Sequence, residues 1–130
     1  MLEKNEMLQK DDMNTVFGRQ SLFDGEITTK GSIRVEGEIT GTINADGNVF
    51  IGETGQIHSD IEGCEVVIGG KVEGDIIARN KLTILKTGIL KGDIKAKKLE
   101  IEEGARFIGK SSPLLDDEKE ADSDIEEKNI

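Results

Sequence analysis

Val72-Glu73-Gly74-Asp75-Ile76 and Leu90-Lys91-Gly92-Asp93-Ile94 carry one pattern 18 residues apart: apolar, any residue, small, any residue, isoleucine. Working outward, the same pattern stands upstream at Ile57-His58-Ser59-Asp60-Ile61, Ile39-Thr40-Gly41-Thr42-Ile43 and Phe23-Asp24-Gly25-Glu26-Ile27. A sixth copy begins at Phe107-Ile108-Gly109 and breaks off. The first positions are separated by 16, 18, 15, 18 and 17 residues. A second pattern interleaves with it, a pair of aliphatic residues two apart: Ile33/Val35, Val49/Ile51, Val66/Ile68, Leu82/Ile84 and Leu99/Ile101. Its steps are 16, 17, 16 and 17 residues. Two independent patterns with one period identify a repeat protein.

Within each pattern the apolar residues alternate, so each is a short strand with one face inward. A unit of this length holds two or three strands and their corners, with no room for a helix. Corners are expected at Gly37, Gly55, Gly70 and Gly88, where positive φ would allow a tight turn. The small residues Thr29, Ala45, Gly63, Ala78 and Ala96 are expected where the wall bends. A single coil cannot bury its own apolar face, so stacking creates the core. The expected fold is an all-β parallel solenoid of about six coils, its strands about 4.8 Å apart. The expected core stack is Ile39, Ile57, Val72 and Leu90 with Ile43, Ile61, Ile76 and Ile94. An antiparallel sandwich is the competing architecture. It needs no single register over six copies and usually buries aromatics, whereas this chain has four Phe and no Trp or Tyr.

The 130 residues bound one domain. Composition divides them into an N-terminal arm (1–21), the solenoid (22–112) and a C-terminal tail (113–130), both ends expected to be disordered. From Asp116 to Glu127 there are eight acids, and with Lys119 and Lys128 the tail supplies −6 of the chain's −10. Like-charge crowding keeps such a segment extended. No apolar run reaches the roughly 18 residues of a membrane span, and no signal-peptide pattern opens the sequence. The single cysteine, Cys64, excludes an internal disulfide framework, suits a reducing cytoplasm and has no His or Lys beside it to activate it. Nucleic acid is disfavoured, because there is no basic stripe and almost no aromatic to stack on bases.

Three features invite a chemical reading. Gly104-Ala105-Arg106-Phe107-Ile108-Gly109-Lys110-Ser111 matches the phosphate-loop pattern G-x-x-x-x-G-K-[ST]. That pattern works by opening a helix whose amides cradle phosphate. Here Phe107 and Ile108 fill the loop, Pro113 interrupts any following helix, and Gly109 already has a place in the repeat, so no nucleotide is expected. His58, the only histidine, faces outward by repeat register and has no triad partner. Asp60, Asp75 and Asp93 share one position in successive coils, which reads as a solvated ladder in preference to a cation site. No catalytic, cofactor or metal residue is assigned.

The ends carry more information. A solenoid needs polar caps, since its last coil otherwise exposes apolar side chains and unpaired backbone. This chain instead puts Phe23 and Phe107 in the inward slot of its first and last coils. An aromatic can plug an end by itself; alternatively, each end is adhesive. Like ends meeting would give two alternating isologous contacts and an open filament without direction. Contact residues on that reading are Phe107 and Phe23, supported by Leu99, Ile101 and Ile27.

Ile51-Gly52-Glu53-Thr54-Gly55, the repeated Gly-Asp-Ile and the closing Gly104-Ala105-Arg106-Phe107-Ile108-Gly109 resemble a bactofilin, over residues 22–112. The resemblance implies a right-handed, three-sided β-helix that polymerises end to end, without nucleotide, into apolar cytoskeletal filaments. It implies scaffold roles in cell shape, polar organisation, motility or cell-wall enzyme recruitment, and places the terminal-coil phenylalanine important for polymerisation on Phe107. The implied partner is self, with cell-wall or membrane proteins binding the arms. The implied location is cytoplasmic, with peripheral membrane association either direct or through a partner. Met1-Leu2-Glu3-Lys4-Asn5-Glu6 is weakly apolar and its arm slightly acidic, which argues against direct attachment to anionic lipid. Two other readings compete. One is a hexapeptide-repeat acyltransferase with His58 as base, against which the six-residue spacing fails after Ile57. The other is a monomeric binding module.

Overall fold

The computed structural model describes residues 15–114. Of the expected arms at 1–21 and 113–130, residues 1–14 and 115–130 lie outside the described residues. Twelve strands follow one another: β1 (Thr15–Phe17), β2 (Leu22–Thr29), β3 (Ile33–Val35), β4 (Glu38–Ala45), β5 (Val49–Ile51) and β6 (Gln56–Ile68), then β7 (Lys71–Glu73), β8 (Ile76–Ile84), β9 (Ile89–Lys91), β10 (Ile94–Ile101), β11 (Arg106–Ile108) and β12 (Ser111–Pro113). Every pairing is parallel, which excludes the antiparallel sandwich.

The register resolves the chain into six coils with three faces. On the first face Phe17, Val35, Ile51, Ile68, Ile84 and Ile101 stand in one column. On the second the column is Phe23, Ile39, Ile57, Val72, Leu90 and Phe107. On the third it is Ile27, Ile43, Ile61, Ile76, Ile94 and Ser111. Between the end coils these positions are buried Ile, Val or Leu. β-branched side chains dominate because a pleated strand tolerates their stiff χ1, and identical neighbours above and below pack without gaps. The eight expected stack residues, Ile39, Ile57, Val72, Leu90, Ile43, Ile61, Ile76 and Ile94, are all buried.

Two local expectations need correction. The ordered chain begins before residue 22, because β1 pairs with β3 and so belongs to the first coil. Positive φ is absent from Gly37, Gly55, Gly70 and Gly88; it occurs inside the first pattern, at Gly25, Gly41, Gly74, Gly92 and Gly109, and at Gly104. The four corner glycines are required by close approach instead: a Cβ at Gly88, for example, would strike the Ile68 carbonyl oxygen. Gly63, Ala78 and Ala96 stand where the wall turns from one face to the next, inside continuous strands. β6, β8 and β10 run on past them from the third face to the first, with a register shift in which Arg79 and Asn80 pass beside single residues of the adjacent coils. That bulge sends Arg79 back across two coils, where its Nη2 donates to the Ala45 and Asp46 carbonyls at 2.9 and 2.8 Å.

Ser59 interrupts the glycine column, at the shortest step of the repeat, inside the uninterrupted 13-residue β6. Its hydroxyl is buried and has no hydrogen-bond partner among the described residues. An unpaired buried hydroxyl costs free energy, so Ser59→Ala should gain about 1 kcal/mol in urea unfolding. A loss of stability would mean that the hydroxyl is satisfied in solution.

Candidate polymerisation interface

Each end of the stack leaves one coil's inward side chains without a covering coil among the described residues. At the C-terminal end these are Leu99 and Ile101 from β10 and Phe107 from β11. Leu99, Ala105 and Phe107 are half-buried against the core, while Ile101 is 39% exposed and Ile108, next to Phe107 in β11, is 57% exposed. Ser111 and Pro113 complete the coil, paired with Ile94 and Ala96. The outer edges of β11 and β12 carry backbone groups that no further described strand pairs. The end is therefore an apolar surface bordered by open hydrogen-bonding groups, a template for one more parallel or antiparallel neighbour.

The N-terminal end is built differently. Phe17 and Phe23 stand edge to face, ring centroids 5.6 Å apart at 67°, both packed on the core. Ile27 lies beneath this end at 9% exposure, and Leu22 on the outer face is 78% exposed. Of the five expected contact residues, Phe23 thus lies at one end, Leu99, Ile101 and Phe107 at the other, and Ile27 is covered. Phe17, outside the expected set, stands beside Phe23 at the N-terminal end. Its signal was available: Thr15 and Phe17 lie 18 residues before Ile33 and Val35, one further copy of the second pattern. Polar Thr15 hides the copy, in a coil covered on one side only.

The remaining candidates resolve into structural roles. Asp60 Oδ1 accepts the Asp75 backbone N–H at 2.9 Å, Asp75 Oδ1 that of Asp93 at 3.0 Å, and Asp93 Oδ1 that of Lys110 at 3.2 Å. The aspartate column therefore satisfies amides at the corner beside the glycines, where the backbone ladder lapses. Among the described residues no group of three or more His, Cys, Asp or Glu could hold a metal ion. His58 is exposed on the second face, with Nδ1 3.2 Å from Glu73 Oε1. The Gly104–Ser111 stretch is strand β11 and a corner leading into β12, not a loop opening a helix. Its Lys110 amide is already bonded to Asp93. Among the described residues no helix is long and apolar enough to cross a membrane.

Comparison with known proteins gives a consistent result. Residues 15–112 match the family model described as bactofilin, polymer-forming cytoskeletal. The chain is 34% identical over 96 residues to Bactofilin BacO of Myxococcus xanthus (strain DK1622), covering 74% of this chain and 76% of that one. To Bactofilin BacP of the same organism it is 27% identical over 97 residues, 75% of this chain but only 40% of the relative. Among solved structures it is similar to the Thermus thermophilus bactofilin of a cryo-EM reconstruction of double helical filaments. The TM-score there is 0.73 at 32% identity, over 76% of this chain and 98% of the other.

Proposed function

The chain belongs to the bactofilin family of polymer-forming cytoskeletal proteins, and from that premise we propose that it is a scaffold whose subunits stack end to end without nucleotide. The observation that carries this reading is the pair of terminal coils that no described residues cap, each with phenylalanine in the column that interior coils fill with Ile, Val or Leu. Every coil templates the next, and the terminal coils extend that templating to another subunit. Burying one half-exposed Phe or Leu in such a contact contributes up to about 1.5–3 kcal/mol, so a few anchors at each junction suffice. Contact between like ends, through Phe107 with Leu99 and Ile101 and through Phe23 with Phe17, gives a filament without direction.

On this reading the protein is not an enzyme. It serves cell shape, polar organisation, motility or cell-wall enzyme recruitment from the cytoplasm. The segments at 1–14 and 115–130 hold partners or a membrane protein, giving peripheral membrane association. Negative-stain electron microscopy of protein freed of nucleotide tests the core of the proposal. Filaments are expected, with unchanged length when ATP or GTP is added; a discrete monomer or trimer at high concentration would overturn it.

A further inference from the structure

Charge is not spread evenly along the stack. Residues 33–80, coils two to four, carry nine acids against Arg34, Lys71 and Arg79. Residues 81–97, the fifth coil, carry five lysines against the single acid Asp93. Three exposed lysines crowd the corner between the third and first faces: Lys95, Lys97 and Lys98. Lys98 is directly opposite Lys81 in the parallel register, a like-charge pairing that costs free energy unless an anion lies nearby. Lys81 is already held by Glu100, at 2.8 Å, which raises the Lys81 pKa and lowers that of Glu100. Lys95 and Lys98 have no ion-pair partner among the described residues.

The chain leaves the solenoid at this corner. The Leu114 amide donates to the Ala96 carbonyl at 3.0 Å, between Lys95 and Lys97 in the sequence. Two residues later the acidic run begins, eight acids in Asp116–Glu127. We propose that this acidic segment docks on the Lys95, Lys97 and Lys98 corner of its own chain. A second copy also offers acids, on coils two to four, but a short tether gives the chain's own segment an effective concentration on the order of millimolar. The contact is electrostatic and borders the C-terminal surface, since Lys98 adjoins Leu99 in the part of β10 that no further described strand covers.

Zero-length carbodiimide cross-linking of a 1:1 mixture of ordinary and ¹⁵N-labelled full-length protein tests this. The Lys81–Glu100 pair serves as the reaction control. Links from residues 116–127 to Lys95, Lys97 and Lys98 are expected to exceed those to Lys30 and Lys71 at least tenfold, with both partners carrying the same isotope. At 1 M salt, where the Debye length falls to about 3 Å, they should drop at least fivefold. Links spread evenly over all lysines, a preponderance of mixed-isotope links or insensitivity to salt would each overturn the proposal.

Discussion

Phe107→Arg is expected to abolish long filaments while leaving a folded protein. Phe107 is half-buried in the last coil, in the column where Leu90 and Val72 lie beneath it. Arginine there places an unpaired charge where another subunit's apolar end must sit. Stranding a charge in this way costs about 3–5 kcal/mol, roughly two to four orders of magnitude in the association constant. Circular dichroism should retain the β signature, since the substituted side chain can turn to solvent at an end.

The same variant separates two assembly geometries. If like ends meet, breaking the C-terminal contact leaves dimers joined at the N-terminal end, and Phe23→Arg leaves dimers joined at the other. The double variant is then monomeric. If unlike ends meet, either single variant gives monomers. Sedimentation velocity distinguishes these outcomes, and long filaments persisting in Phe107→Arg would show that the C-terminal surface is not the contact.

Gly92→Ala should have the largest effect on the fold itself. Its φ is +147°, and a Cβ there would overlap the Gly74 carbonyl oxygen of the coil below. Backbone strain and overpacking together should destabilise by about 2–5 kcal/mol. Gly25→Ala is the matched control: φ is +152°, but with no coil beyond it the Cβ would meet only the Phe23 ring, at 3.4 Å. Its cost should be about 1–2 kcal/mol, the strain alone. Urea unfolding in the Phe107→Arg background, at protein concentrations where sedimentation shows only monomer, removes assembly from the comparison. Equal losses at the two positions would refute the account of why the column is glycine.

Much of this was legible because a solenoid writes its tertiary structure into its period. The columns seen in the register are the columns of the sequence patterns, so Ile39, Ile57, Val72 and Leu90 were assignable to one stack from spacing alone. The glycines were visible but misattributed, because a turn and a close approach leave the same letter. Gly88 and Gly92 differ only in φ and in which carbonyl lies above their Cα, and neither is local information.

Sequence by itself determined the repeat, the inward columns, the phenylalanines at both ends and the acidic segment, because each is a matter of period or composition. Tertiary structure alone decided the three faces and the β8 bulge that throws Arg79 across two coils. It also turned the aspartate column from a solvated ladder into a row of amide acceptors. The physical reason is common to all of these. A parallel stack lets residues some 15–18 positions apart touch, and which atoms meet there depends on single-residue shifts in register that the pattern of apolar letters averages away.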